Sequence, residues 1–197
     1  DYCYRTSGTW FANQYFNEEN GNAHFETTGP EIWKQTSGSI THFIAGIGTG
    51  GTISGVGNYL KSQRKSVKIV GVDPVGSIIF DYFNTGKIIP QTQGYSIEGI
   101  GRNFVPGSLD INCIDSILRV TDWQAIQSAY EFFGKTGFLC GFSSAAIISC
   151  LSELRVEHND HVVLFFADHG SRYLSKTYNK SWVEQMINQP VYEVQHA

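Results

Sequence analysis

The chain has 197 residues, 41% of them hydrophobic and 16% charged, with a formal net charge of −4 and a pI near 5.8. This composition fits a compact globular protein with a real core and excludes a disordered chain. The acidic balance argues against nucleic acid or another polyanion as partner, and no apolar run reaches the ~18–20 residues that span a bilayer.

Residues 1–26 are rich in aromatics and Asn but have no period, which predicts an irregular connecting segment. In "TTGPEIWKQTSG" Pro30 and Glu31 suit a first helical turn and Gly38 a stop, so a helix is expected there. "THFIAGI" reads as a short buried strand, "GIGTGG" as a glycine loop, Thr52–Gln63 as a helix and "SVKIVGVD" as a second strand. Together they form a βαβ unit with parallel strands. Residues 74–115 carry turn residues at short intervals and are expected to be loop-rich, a length of irregular chain that is usually functional. Order resumes at "SILRV". Thr121 with Gln124 makes a capping box for a helix that Gly137 closes. "FLCGFSSAAIISCLSEL" passes through Gly141 into a helix beginning near Ser143. "HVVLFFAD" is a third parallel strand, and "SRYLSKTY" and "SWVEQMI" read as short helices.

The expected fold class is therefore α/β, three layers (αβα) around a mainly parallel sheet. Ligands of such sheets bind beyond the carboxyl ends of the strands. Three short small-residue loops, 46–52, 141–144 and 167–171, are placed there, each leading into a helix. Cys3, Cys113, Cys140 and Cys150 have no C-x-x-C spacing and read as reduced thiols of a cytoplasmic protein. The chain opens at Asp1 without an initiator Met, which suggests a piece of something longer.

Gly46, Gly48 and Gly51 satisfy G-x-G-x-x-G, and Asp73 follows at the end of an apolar run, where a dinucleotide fold places its ribose acid. Thr49 and Thr52 add two hydroxyl donors that a pyrophosphate turn does not need. They tilt the loop toward one compact monophosphate, held by backbone N–H groups at a helix N-terminus. A glycine turn that merely lets helix and strand pack closely remains the plainer reading of the loop alone.

"GIGTGGTISG" resembles the phosphate loop of the pyridoxal-phosphate β-family (fold type II), which includes cystathionine β-synthase and cysteine synthase. "NQYFNEENGNAHFETTGPEIW", "IVGVDPVGS", "EGIGRNFVP", "GFLCGFSSAA" and "DHGSRYLSKTYNKSW" resemble further segments of that family in the same order. The resemblance implies a tryptophan synthase β-subunit-like fold with its N-terminal part missing. Residues 1–26 would connect to that absent domain, and 27–197 would be an incomplete cofactor domain. It implies pyridoxal 5'-phosphate as cofactor, an amino-acid substrate (serine or O-acetylserine), a thiol co-substrate (homocysteine or sulfide) and a homodimer in the full-length form.

By the same resemblance Gly48, Thr49, Gly50, Gly51 and Thr52 would hold the phosphate, and the Ser143 hydroxyl would face the pyridine nitrogen. Gln14 would lie near the substrate carboxylate, within a site that Gly99, Ile100 and Gly101 close over. Each has a plainer alternative: Ser143 suits a helix N-cap, and Gln14 a loop amide satisfying backbone groups. Glu98, before the G-I-G turn, favours cystathionine β-synthase over cysteine synthase; a surface ion pair is its plain alternative. Phe142 replaces the family's glycine before that serine, and Arg102 stands where an aromatic residue is common. None of the eight lysines (34, 61, 65, 68, 87, 135, 176, 180) has the S-x-K-x-R setting of the Schiff-base lysine, so the isolated chain is expected to be inactive or a non-catalytic cofactor-binding fragment.

Other constellations are weaker. His158 and His161 sit in a polar turn with no third ligand, so no metal is expected. Asp168, His169 and Ser171 have triad residue types, but adjacent Asp and His do not make a relay, and no nucleophile elbow surrounds the serine. The "PVGS" that follows Asp73 resembles the strand-end turn of the same family, which implies a structural carboxylate rather than an NAD ligand.

Overall fold

The computed structural model describes residues 2–187; Asp1 and residues 188–197, the outer ends of the two expected segments, lie outside the described residues. The first 26 residues are not uniformly irregular. They hold α1 (Tyr2–Arg5) and α2 (Glu19–Ala23), and α2 continues through a π-helical turn (His24–Thr28) into α3 (Gly29–Gln35). The expected helix around Pro30 is thus the last part of a longer one.

β1 (His42–Gly46), α4 (Gly51–Gln63) and β2 (Lys68–Pro74) form the expected βαβ unit, with His42 opposite Lys68 and Gly46 opposite Val72 in parallel register. α2 lacks an apolar stripe because it packs on α4 through small residues. A Cβ on Gly55 would lie 2.2 Å from the Gly21 carbonyl oxygen, and one on Gly51 2.0 Å from Asn20 Oδ1. Close backbone approach replaces hydrophobic burial there, and no 3.6-residue pattern announces it.

The loop-rich stretch after β2 contains one unexpected helix, α5 (Ile79–Thr85), and a 3₁₀ turn at Ile111–Cys113. α5 starts where Phe80 N donates to Asp73 Oδ2 at 3.0 Å and stops at Gly86, which adopts φ 69°. Asp73 therefore has a structural role at the end of β2. β3 (Ser116–Val120) pairs parallel to β2. α6 (Asp122–Thr136) carries the Thr121–Gln124 capping box at its start and Gly137, at φ 73°, at its end. α7 (Phe142–Ser149) and β4 (Val162–Leu164) follow as expected. The expected helix at Ser171–Tyr178 is only a 3₁₀ turn, Gly170–Tyr173, capped by the His169 side chain; α8 (Lys180–Ile187) ends the described chain.

The four strands lie in the order β3-β2-β1-β4, all parallel. Both faces are covered. Phe43, Ala45 and Ile69 pack with Ile53, Val56 and Leu60 of α4 on one side. Ile44, Val70 and Val72 pack with Ile126, Ala146 and Ile147 of α6 and α7 on the other. Burying each of the Val, Leu, Ile and Phe side chains among them contributes about 1.5–3 kcal/mol, which fixes strand register because a one-residue slip would exchange the two cores. From β1 the chain moves to β2 on one side, and after β3 it crosses back to β4 on the other side of β1. That reversal is a topological switch point, where strand ends splay and leave a crevice. No helix among the described residues is long and apolar enough to cross a membrane.

Candidate functional site

A cavity of about 350 Å³ opens at this switch point. Its wall is built from the loop after β1, the start of α4, the 98–102 segment, the start of α7 and the chain after β4. Gln14, Gly48, Thr49, Gly50, Thr52, Glu98, Gly99, Ile100 and Ser143 all lie on it. Gly51 and Gly101 stand one layer behind: Gly51 N donates to Thr49 Oγ1 at 3.3 Å, and Gly101 N to the Ile47 carbonyl at 2.8 Å.

The glycine loop has no room for side chains. A Cβ on Gly48 would lie 2.3 Å from the Gly99 carbonyl oxygen, and one on Gly46 2.5 Å from Ile100 Cγ2. Gly50 sits at φ 89°, beside Leu109, and caps α4 without a side-chain bond. Of the residues that open this 13-residue helix, Gly51 donates its N–H to Thr49 Oγ1, while Thr52 and Ile53 line the cavity with no intrahelical acceptor for their N–H groups and the positive end of the helix dipole behind them.

Two residues from α2 and the π-turn fix the hydroxyls. Asn20 Nδ2 donates to Thr49 Oγ1 at 3.0 Å and to the Gln14 carbonyl at 2.6 Å, which ties the 13–17 turn to the glycine loop. His24 Nε2 lies 3.1 Å from Thr52 Oγ1, and its Nδ1 lies 2.9 Å from Thr28 Oγ1. Burial lowers the His24 pKa from 6.5, so its ring is neutral at pH 7, one nitrogen donating and the other accepting.

Ser143 is the second residue of α7 and not its N-cap, which is Gly141. Its side chain is buried on the cavity wall with no hydrogen bond to the described residues. Phe142 turns the other way, fully buried between the Tyr173 and Trp182 rings, each 6.2 Å away and near-perpendicular. The bulky residue beside Ser143 thus belongs to the core. Asp168, also on the wall, accepts from the Tyr173 hydroxyl at 2.7 Å. His169 and Ser171 meet at 3.0 Å, but as the cap of their own turn, and Asp168 bonds neither. His161 bonds Ser39 and His158 leans on Asn159, well apart from one another's partners. The four cysteines are free, and burial pushes the Cys113 and Cys150 thiols up to about 12.

On the cavity wall the Glu98 carboxylate is paired with the Lys176 ammonium. Among the described residues no lysine lines the cavity, and Arg102 is the one basic side chain that does.

Residues 3–168 match a family described as pyridoxal-phosphate dependent enzyme. The chain belongs to this family. It is similar to a cysteine synthase of Buchnera aphidicola, 40% identical over 167 residues, which covers 82% of this chain and 52% of that protein. It is also similar to a cystathionine beta-synthase of Apis mellifera, 38% identical over 174 residues, 87% of this chain and 34% of that protein. Cysteine synthase A of Escherichia coli is 35% identical over 167 residues, with 82% and 51% covered. The chain thus spans about half the length of the cysteine synthases it matches, and about a third of the cystathionine beta-synthase.

The wall suits a pyridoxal-phosphate dependent enzyme. A phosphate requires closely approached backbone donors, and Gly48 and Gly50, both on the wall, leave no room for a Cβ, which would meet the Gly99 carbonyl oxygen or Leu109. The unpartnered Ser143 hydroxyl offers a neutral group at the other side of the same cavity. Among residues that carry the site, sequence reasoning assigned no role to Asn20 or His24. Both fall in the stretch "NGNAHFE" that resembles the family, but their partners lie 29 and 28 residues away, and no local pattern reveals such a pairing.

Proposed function

We propose that the protein carrying this chain performs pyridoxal-phosphate-dependent β-replacement in sulfur amino-acid metabolism, as a cystathionine β-synthase joining serine and homocysteine. The observation that carries the reading is one wall holding the glycine–threonine cradle, the free Ser143 hydroxyl and Glu98. When bound, pyridoxal phosphate supplies an electron sink for bond breaking next to the amino group of the substrate. In this reading Gly48, Thr49, Gly50, Gly51 and Thr52 bind the phosphate through backbone N–H and hydroxyl donors. Ser143 donates or accepts at the pyridine nitrogen without giving it a full charge. Gln14 and residues 99–101 orient the substrate carboxylate and exclude water over it.

Glu98 supports the first of two subtypes. Its present partner is an ammonium, that of Lys176. The amino group of homocysteine is the same chemical kind of partner, whereas sulfide has no ammonium to offer. Cysteine synthase, joining O-acetylserine and sulfide, is the alternative, and relatives of both names stand at similar identity. The test is product analysis on the full-length protein. Cystathionine from serine and homocysteine supports the first reading; cysteine from O-acetylserine and sulfide, with no cystathionine, selects the second.

A second reading concerns the chain by itself. Since none of its lysines lines the cavity, we propose that the Schiff-base lysine comes from outside this sequence and that the isolated chain is a non-catalytic cofactor-binding fragment. Borohydride reduction with pyridoxal phosphate, followed by peptide mass spectrometry, tests this. A single specific adduct on one of the eight lysines would reject it.

A further inference from the structure

The phosphate cradle is made of glycines and two threonines, none of which carries charge, while a phosphate monoester brings close to two negative charges at neutral pH. Among the described residues Arg102 is the only arginine or lysine on the wall of the same cavity. Its guanidinium Nη2 lies 3.4 Å from where a Cβ on Gly48 would stand, so it reaches the backbone of the cradle.

The side chain is held in place. Its backbone N–H donates to Ser77 Oγ at 2.9 Å, its carbonyl accepts from Ile78 N at 2.9 Å and from Ser77 Oγ at 3.1 Å, and these bonds fix the Cα. The guanidinium lies over the Tyr15 ring, 5.0 Å from its centre, and donates to the Gly101 carbonyl. Tyr95 takes a further side-chain bond from it. No carboxylate among the described residues forms an ion pair with it, and its Nε is buried without a partner. A preorganised cation with spare donors and no counter-ion, at the rim of an anion cradle, is incomplete until an anion arrives.

We propose that Arg102 is a phosphate-binding residue: its guanidinium supplements the Gly48–Thr52 donors and supplies the positive charge that the cradle lacks. The inference rests on reading the cradle as the cofactor's phosphate site. Position 102 then contributes to cofactor affinity and retention, and the loop 98–102 couples the cofactor end of the cavity to the substrate end, where Glu98 stands.

The test compares pyridoxine 5'-phosphate with pyridoxine, which differ only in the phosphate and have no aldehyde to react with a lysine. Dissociation constants are measured by calorimetry or tryptophan quenching on the full-length protein and on Arg102→Gln and Arg102→Lys, with urea midpoints as a folding control. Loss of a charge-assisted contact predicts about 10- to 100-fold weaker pyridoxine 5'-phosphate binding in Arg102→Gln, with pyridoxine within about twofold and Arg102→Lys recovering much of the loss. Equal weakening of both ligands, or no weakening of either, overturns the proposal. If the unmutated protein does not prefer pyridoxine 5'-phosphate to pyridoxine, the cradle itself has been misread and both ideas fall. A preserved preference in Arg102→Gln sinks the arginine alone.

Discussion

His24 Nε2 stands 3.1 Å from the Thr52 hydroxyl, a bond that joins the π-helical turn to the first turn of α4. A π-turn displaces one residue from the regular helical ladder, and such turns are concentrated at functional sites. Here the displaced stretch brings an imidazole under the cradle, with Thr28 holding its other nitrogen. Replacing His24 by Ala removes its neutral hydrogen bonds to Thr28 and Thr52, of which the one to Thr52, worth about 0.5–1.5 kcal/mol, bears on the cradle. The expected result is about 3- to 10-fold weaker binding of pyridoxine 5'-phosphate, with His24→Asn between the two. Unchanged affinity in His24→Ala would mean that Thr52 needs no orientation.

The glycines of the cradle are not equivalent to the others in the chain. Gly48→Ala puts a methyl 2.3 Å from a backbone oxygen, Gly99 O, which no rotamer change relieves. The 46–52 and 98–102 loops must separate, so a loss of about 2–4 kcal/mol and of phosphate affinity is expected. Gly134, inside α6, has nothing within 4 Å of its added Cβ and no positive φ. Gly134→Ala is expected to stabilise by about 0.5–1 kcal/mol through backbone entropy. Urea unfolding of the two variants checks both signs.

The contrast explains which parts were legible in the sequence. β1, α4, β2, α6 and α7 follow from burial periodicity, caps and stop glycines, because those residues bear their signals locally. The glycine–threonine loop stood out by composition at a loop position, whereas Ser143 was singled out only by the resemblance of "GFLCGFSSAA" to the family. α2 was not, since Gly21 and Gly55 pack by backbone approach, which leaves no hydrophobic period. α5 was not, because its start depends on Asp73, a carboxylate from the preceding strand. The Ser143 N-cap reading failed for a simpler reason: Gly141 takes extended geometry at φ −66° and ψ 166° and starts the helix two residues earlier. The direction of Phe142 likewise needed Tyr173 and Trp182, which come some 30 to 40 residues later.

The Glu98–Lys176 pair joins two segments beside the cavity, yet both side chains are about half exposed, 48% and 47%. An ion pair so exposed contributes at most about 1 kcal/mol to stability. Lys176→Met should therefore leave the urea midpoint nearly unchanged, while freeing Glu98 for an ammonium from solution. The expected kinetic result is a lower KM for homocysteine and an unaltered response to sulfide. Glu98→Gln should do the opposite, raising the homocysteine KM several-fold. Equal effects on both thiols would show that the pair acts on the loop rather than on a substrate.

Asp73 gives the scaffold a pH-dependent contribution to stability. It is fully buried at the end of β2, and burial raises its carboxyl from the ordinary 3.8 to about 6, against opposing bonds from Ser77 and Phe80 and the charge of Arg119. One oxygen accepts from Phe80 N and the other is buried without a partner, an arrangement that suits a protonated carboxyl. A raised folded-state pKa contributes stability that is fully present below 3.8 and is lost as pH rises through about 6. The cost above that window is on the order of 3 kcal/mol. His24 works in the other direction: its pKa is lowered from 6.5, so its contribution is complete above 6.5 and is lost as pH falls. Asp73→Asn keeps an oxygen for Phe80 N and removes the titration. The variant should match the parent near pH 4 and exceed its stability above pH 6, and its urea midpoint should fall only on the acid side, where His24 gains its proton. A variant as steeply pH-dependent between 4 and 6 as the parent, in the sense of losing stability with rising pH, would show that another group carries the transition.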